Sequence, residues 1–198
     1  TYRHSRLGGL DRDHYERWIN VGMGHADRAL ARAPGNADAL ELAATLEYWR
    51  YLLSLVPSHE VDALLHRVED RFSRAVQVDP SRASAHTSLS HLHLNAGRFA
   101  QAKLSAERAY RADPFLENAN LTLWRLYQAS WNLGDAVEAR RACDEGQRRF
   151  HGDFRFVQCQ LMSMGFPGSA PDVQRAWALA DTFTTWSPPQ VRDVNRLR

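Results

Sequence analysis

A 34-residue period is the feature of this sequence that most limits what it can fold into. The dipeptides Asp79-Pro80 and Asp113-Pro114 lie 34 residues apart, and the segment between them has the spacing of two short helices joined by a turn. Fixed periods of about 20 to 50 residues are typical of solenoids, in which each unit packs only on its neighbours. Elsewhere too, apolar residues recur every three or four positions, as they do in helices. The sequence therefore predicts an all-α solenoid.

The best-defined unit covers residues 81–114. Small residues at three of its positions allow its two helices to approach closely, and leucines supply the apolar volume around that contact. We expect Asp113 to cap the next helix and Pro114 to occupy its first position, where the missing N–H costs nothing. The pattern of the unit runs through Leu89, Ser90, His93, Gly97, Phe99, Ala102, Ala106 and Ala109.

This spacing of a leucine, a small residue, a turn glycine, an aromatic residue, alanines and a terminal proline resembles a tetratricopeptide repeat (TPR). The resemblance covers roughly residues 12–188. It implies an all-α, right-handed α-solenoid of about four TPR-like helix-turn-helix units and about nine helices, forming a single superhelical domain over residues 1–198. The units are expected near 12–35, 36–80, 81–114, 115–151 and 152–188.

The interval from Pro34 to Pro80 is 46 residues, 12 more than the period. We place the extra residues near 52–66, where they would lengthen both helices around a turn at Pro57 and Ser58. The hydrophobic content of 44% is ample for a core, and no apolar run approaches the roughly 18 residues of a membrane span. The predicted helices are 12–33, 37–55, 59–78, 81–96, 98–112, 115–132, 135–150, 153–164 and 171–186.

The two ends of the chain lack the polar capping helices that normally close a solenoid. The first predicted helix follows Gly8 and Gly9 without a partner before it, and residues 190–198 resemble the start of a further helix. We therefore expect a segment of a longer protein, able to self-associate through an uncapped end. The alternative is a complete small protein whose initiator methionine has been removed. As a segment it would be soluble, and either cytoplasmic or, in a membrane-anchored kinase, extracytoplasmic.

The charge balance argues against nucleic-acid binding. The chain has 25 basic and 23 acidic residues, for a net charge of +2, whereas phosphate binding needs a basic surface. The richest arginine cluster, at 140–149, also contains Asp144 and Glu145. Acidic and basic residues four positions apart on a helix form ion pairs, so this cluster is predicted to be a solvated, ion-paired face.

The two cysteines are placed symmetrically about a predicted loop. Cys143 and Cys159 each lie eight residues from His151. Residues equidistant from the turn of a helical hairpin tend to face each other, so the pair could form a disulfide if its Cα atoms come within about 7 Å. The alternative is two free, buried cysteines in a helix contact. Two cysteines alone make no metal site.

No motif in the sequence supports catalysis. His91 and His93 are too far apart around a helix to share a metal, and His59-Glu60 lacks the spacing of a zinc protease. A glycine-rich phosphate loop, a nucleophile elbow and the kinase motifs are all missing from the sequence. We therefore predict no enzymatic activity, no cofactor and no metal in this chain.

In TPR arrays the first helix of each pair lines a concave groove that binds peptides or partner helices. An aromatic anchor, amides and an arginine suit an extended peptide, although Tyr48 and Trp49 could instead belong to the core. Glu41 and Thr45 stand where the family's chaperone-tail clamp needs lysine and asparagine, which argues against that ligand. The resemblance implies groove residues Glu41, Thr45, Tyr48, Trp49, Thr87, His91, Asn95, Arg125 and Gln128.

The sequence thus favours a non-catalytic protein-protein interaction module that binds a peptide or helix in its groove. Residues 135–161 resemble TPR arrays found C-terminal to bacterial serine/threonine kinase domains, which implies a bacterial signalling protein. One alternative is an intramolecular regulatory or sensor domain of such a kinase or of a transcriptional regulator. Another is a small-molecule or nucleic-acid sensor that uses the arginine faces.

Overall fold

The computed structural model describes residues 12–166, 170, 172–189 and 191. This part of the chain forms nine α-helices, each packed against the next in the sequence, and the predicted all-α solenoid is confirmed. The glycine pair at 8–9 and most of residues 190–198, where we expected a broken and a new helix, lie outside the described residues. The helices are α1 (Arg12–Arg32), α2 (Ala37–Leu52), α3 (Val61–Val78), α4 (Ala83–Asn95), α5 (Phe99–Ala112), α6 (Ala119–Asn132), α7 (Ala136–Arg149), α8 (Phe154–Ser163) and α9 (Val173–Trp186).

Turn glycines separate the helices of two consecutive pairs. Gly97, between α4 and α5, and Gly134, between α6 and α7, have φ angles of 71° and 72°. This left-handed conformation costs glycine little and other residues more, so glycine is suited to the tight reversal between antiparallel helices. After the second of these turns, Asp135 caps α7 by accepting a hydrogen bond from the N–H of Glu138 at 3.1 Å.

The two Asp-Pro dipeptides lie in turns that precede α4 and α6, and they do not provide the first residues of these helices. The carboxylate of Asp113 accepts a hydrogen bond from the N–H of Phe115 at 2.8 Å, and α6 begins only at Ala119. The carboxylate of Asp79 binds the N–H of Ser81 in the same way. An aspartate that accepts a hydrogen bond from the backbone N–H two residues later closes a local turn. The prediction that Asp113 caps a helix is therefore wrong.

The longest unit is built from α2 and α3. These helices have 16 and 18 residues, whereas α4 to α7 have 13 or 14. The chain reverses between them through Ser54, whose φ is 56°, and a 3-10 turn at Ser58–Glu60. The expectation of longer helices around a turn near Pro57 is confirmed. However, α2 ends at Leu52, three residues earlier than predicted, because the positive φ of Ser54 is incompatible with a continuing α-helix.

Two apolar clusters fill the space between the helices. One surrounds Phe72 of α3, and the other surrounds Tyr127 of α6. Between them, the hydroxyl of Ser90 donates a 3.0 Å hydrogen bond to the carbonyl of Ala102, and both residues are fully buried. This contact confirms that small residues bring α4 and α5 close together.

The first and last helices each expose apolar side chains. Trp18 and Val21 of α1 are 68% and 60% exposed, and Trp177 of α9 is 69% exposed. Self-association through the ends stays a prediction. Among the described residues, no helix is long and apolar enough to cross a membrane.

Candidate functional site

One face of the solenoid contains a pocket of about 730 Å³ lined by three alternate helices. We call α2, α4 and α6 the inner helices and this cavity the groove pocket. Phe99, the first residue of α5, and Arg155, the second residue of α8, complete its wall. The pocket is lined by Trp49, Leu52, Leu53, His91, Leu94, Asn95, Phe99, Leu121, Trp124, Arg125, Gln128, Asn132 and Arg155.

Five of the nine predicted groove residues line this pocket: Trp49, His91, Asn95, Arg125 and Gln128. They come from all three inner helices. The Trp49 side chain is 50% exposed, so a large aromatic surface is open to a ligand rather than committed to the core. Because aromatic side chains have a large apolar area, an exposed one in a concave site is a natural anchor.

Tyr48 lies beneath the pocket rather than in it. Its ring is buried and stacks on Tyr51, and its hydroxyl forms a 2.7 Å hydrogen bond with Nδ1 of His91. Burial raises the pKa of the Tyr48 hydroxyl above its usual value, so the group stays protonated. The tyrosine therefore orients the His91 imidazole from below and supports the pocket floor.

The remaining three predicted residues are also outside the pocket. The carboxylate of Glu41 accepts hydrogen bonds from Arg82, at 2.9 Å, and from the hydroxyl of Ser84. Thr87 is buried, and its hydroxyl bonds that of Thr122 at 2.9 Å. These side chains join neighbouring inner helices to each other, which is why they do not face a ligand. Thr45 is partly buried in α2 and does not line the pocket.

Arg125 is the central charged residue of the groove pocket. Its Nη1 donates a 2.8 Å hydrogen bond to the backbone carbonyl of Thr87. Burial lowers the pKa of the Arg125 guanidinium to about 10, and the nearby positive charge of Arg155 lowers it further, whereas Tyr48 opposes the shift. The group remains charged at neutral pH, but its charge is poorly solvated.

Arg155 lies at the start of α8, beside the pocket. Its guanidinium Nη1 contacts both carboxylate oxygens of Asp153, at 3.1 and 3.2 Å. Asp153 also caps α8 through the N–H of Arg155 and accepts a hydrogen bond from Asn120. The charge of Arg155 is therefore balanced within the protein.

Solved structures of other proteins have a similar fold. No family model matches the sequence, and no curated protein matches it. Among solved structures, the chain is similar to YrrB, a TPR protein with an unusual peptide-binding site, with a TM-score of 0.66 and 13% identity over 99% of this chain and 97% of that one. It is also similar to MamA in two crystal structures, with TM-scores of 0.65 and 0.60 at 13% and 14% identity, covering 93% and 89% of this chain and 91% and 88% of those. The chain has a TPR-like fold.

Sequence reasoning missed several pocket residues of this TPR-like solenoid. Trp124 and Asn132 lie four residues to either side of Gln128, so helical spacing alone could have found them. Leu53 lies four residues after Trp49 and could have been found in the same way, although α2 ends just before it. Arg155 belongs to α8, which contributes only this residue to the pocket.

Cys143 of α7 and Cys159 of α8 face each other across a helix contact. Their Cα atoms are 5.9 Å apart and their sulfur atoms are within bonding distance. Both side chains are fully buried. The separation lies in the range that a disulfide requires, so we keep the disulfide as a proposal that can be tested chemically.

The arginine-rich helix α7 carries ion pairs along its surface. Glu145 pairs with Arg148 and, at 3.8 Å, with Arg149, whereas Arg141 pairs with Glu138 at 2.7 Å. Of the three pairs expected at i,i+4 spacing, only that of Glu145 and Arg149 forms. Arg141 and Arg148 pair instead with glutamates at i,i+3 spacing, which also places the residues on one face. Within the described residues, no cluster of three or more histidine, cysteine or acidic side chains is arranged to hold a metal ion.

Proposed function

We propose that this chain is a non-catalytic module that binds a segment of a protein in the groove pocket. The observation that carries the proposal is that five residues from three successive inner helices, expected from the repeat pattern, line one pocket of about 730 Å³. A pocket that spans several units suits an elongated ligand, because each unit contributes a short stretch of contact surface.

The lining chemistry supports a peptide or helix. Trp49, Leu53 and Leu94 offer an apolar surface for an anchoring side chain, and the amides of Asn95 and Gln128 can bond a ligand backbone. YrrB has a peptide-binding site, and its fold is similar to that of this chain. This similarity supports the class of ligand and leaves its identity to experiment.

We further propose a signalling context, in which the bound segment belongs to a bacterial signalling protein. This part of the proposal is supported only by the resemblance of residues 135–161 to TPR arrays that follow serine/threonine kinase domains. A segment of the same polypeptide, as in a regulatory domain of a kinase or transcriptional regulator, would occupy the groove with the same contacts. The residues that line the pocket suit a segment of another protein and a segment of the same polypeptide equally.

A selection from displayed random peptides tests the groove. Peptides of about twelve residues span about 40 Å when extended, which is enough to cross three helices. We expect the wild-type chain to enrich a sequence family. Apolar residues at alternate positions in that family would indicate an extended ligand, and spacing of three and four would indicate a helix.

The enriched peptides are then measured against a groove variant, Trp49→Ala/Asn95→Ala, and a control, Val137→Ala. Asn95 is exposed and Trp49 is half exposed, whereas Val137 is 79% exposed on α7 and does not line the groove pocket. Tenfold or greater loss of affinity in the groove variant, with the control unchanged, is the expected result. Equal binding by all three chains, or no enrichment at all, would refute the proposal.

A further inference from the structure

The charge of the groove pocket is unbalanced. Among its thirteen lining residues, the charged ones are Arg125 and Arg155, and none is a carboxylate. Arg155 is neutralised by Asp153, which lies beside it at 3.1 Å. For Arg125, the described part of the chain provides the Thr87 carbonyl at 2.8 Å as hydrogen-bond acceptor, and no acidic side chain. The pocket therefore carries one positive charge that the described residues leave without a counter-ion.

An uncompensated, partly buried guanidinium is costly, because it loses hydration without gaining an ion pair. Several other partly buried arginines have acidic partners: Arg82 contacts Glu41, and Arg71 contacts Glu47. Arg125 differs from them, and apart from His91 and Arg155 the other residues that line its pocket are apolar or carry amides. A ligand carboxylate would supply the missing partner, since the planar guanidinium matches a carboxylate through two parallel hydrogen bonds.

We propose that the ligand of the groove is a peptide segment carrying an aspartate or glutamate side chain that pairs with Arg125, next to an apolar residue that packs on Trp124 and Leu121. This inference rests on the proposed function, because it names the chemistry of a ligand in the same groove. It also predicts that recognition of the segment depends on ionic strength.

The charge count favours a carboxylate over a phosphoryl group. A phosphorylated residue carries about −1.5 to −2 charges at neutral pH, whereas the pocket offers one unbalanced positive charge. The position of Arg125 favours a side chain over a chain end. It lies on α6, and the pocket continues to Trp49 of α2 on one side and to Arg155 of α8 on the other. A segment that passes through the groove can therefore extend in both directions from the arginine.

Two displayed libraries test the inference on the wild-type chain. Both contain peptides of about twelve residues with random positions, but one has a fixed central glutamate and the other a fixed central glutamine. We expect the glutamate library to be enriched preferentially. Replacing glutamate by glutamine in a selected synthetic peptide is expected to weaken binding by about tenfold to a hundredfold at low salt. A peptide with an amidated C-terminus is expected to bind as well as one with a free carboxylate.

An arginine variant assigns the preference to its partner. In Arg125→Gln the glutamate and glutamine peptides are expected to bind equally. In Arg148→Gln, which removes the same charge from an exposed site outside the groove, the preference is expected to remain. If Arg125→Gln fails to fold, the comparison of the two peptides on the wild-type chain still decides the question.

The outcomes separate this inference from the proposed function. Equal binding of the two peptides by the wild type, with both lost in Trp49→Ala/Asn95→Ala, would overturn the acidic ligand and leave groove binding intact. Tighter binding of a phosphoserine peptide, or loss of binding on amidation, would overturn the choice of an acidic side chain. Absence of any groove-dependent peptide from either library would overturn both proposals together.

Discussion

Gly146 is the residue at which a single methyl group should most clearly disturb the packing of the solenoid. It lies on α7, buried against the ring of Phe156 on α8. A Cβ atom built at this position would overlap three carbon atoms of the ring, well inside the 3.5–4.0 Å of an ordinary carbon contact. Phe156 is fully buried, so its ring has no solvent space into which it can move.

The magnitude follows from two opposing effects of Gly146→Ala. Alanine favours the helix over glycine by about 0.5–1 kcal/mol. Overpacking a filled core costs about 1–3 kcal/mol, and the depth of this overlap places the cost in the upper part of that range. We therefore expect a net loss of about 1–2 kcal/mol of stability. Gly24→Ala on α1 is the matched control, since its Cβ would meet only Arg28 Nη1 at 3.5 Å, and it should stabilise by about 0.5–1 kcal/mol.

The free energy of unfolding of both variants is measured by urea unfolding, followed by far-ultraviolet circular dichroism. One redox buffer is used throughout, so that the cysteines stay in the same state. A double-mutant cycle then adds Phe156→Leu, which removes the ring. In that background, Gly146→Ala should be neutral or stabilising. The reasoning is refuted if Gly146→Ala is as stabilising as Gly24→Ala, or if its cost is unchanged when the ring is removed.

Two further predictions concern acid stability and redox state. Glu69 binds Arg98 through two hydrogen bonds of 2.6 and 2.7 Å, which hold the pKa of Glu69 below its ordinary value of 4.5. The contribution of Glu69 to stability is therefore complete above about pH 4.5 and is lost as the pH falls through its lower pKa in the folded protein. The difference in Tm between wild type and Glu69→Gln should shrink between pH 7 and about pH 3. A constant difference in Tm would contradict this. Oxidised protein should show a bond between Cys143 and Cys159 by mass spectrometry of a non-reduced digest, and closing this loop should stabilise it by about 3 kcal/mol over the reduced form. Free thiols after oxidation would rule the bond out.

The pattern of small and apolar residues within one unit was enough to predict the helices and their pairing. Ala102 and Ser90 are buried at the α4–α5 contact as expected, and Gly97 forms the turn between these helices. These features depend on residues close together in the sequence, because helical spacing and turn geometry are local. The same reasoning failed for Asp113, where the side chain closes a turn with Phe115 instead of capping a helix.

The groove could be predicted only in outline. The resemblance to TPR arrays implied that Trp49, Asn95 and Gln128 face one groove, and all three line the pocket. It could not show that Glu41 is occupied by Arg82 or that Tyr48 bonds His91, because these partners lie 41 and 43 residues away in the sequence. Which polar groups are available to a ligand depends on how neighbouring units satisfy each other.

The sequence by itself determined the fold class, because repeated helical pairs with this unit length and these small residues are compatible with a solenoid. Only the tertiary structure decided which side chains remain for recognition. The Arg125 guanidinium is the clearest case, since its charge has no acidic partner within the described residues while Arg82 and Arg155 have theirs. The physical reason is that charge compensation is set by contacts between units, and the repeat period carries no information about those contacts.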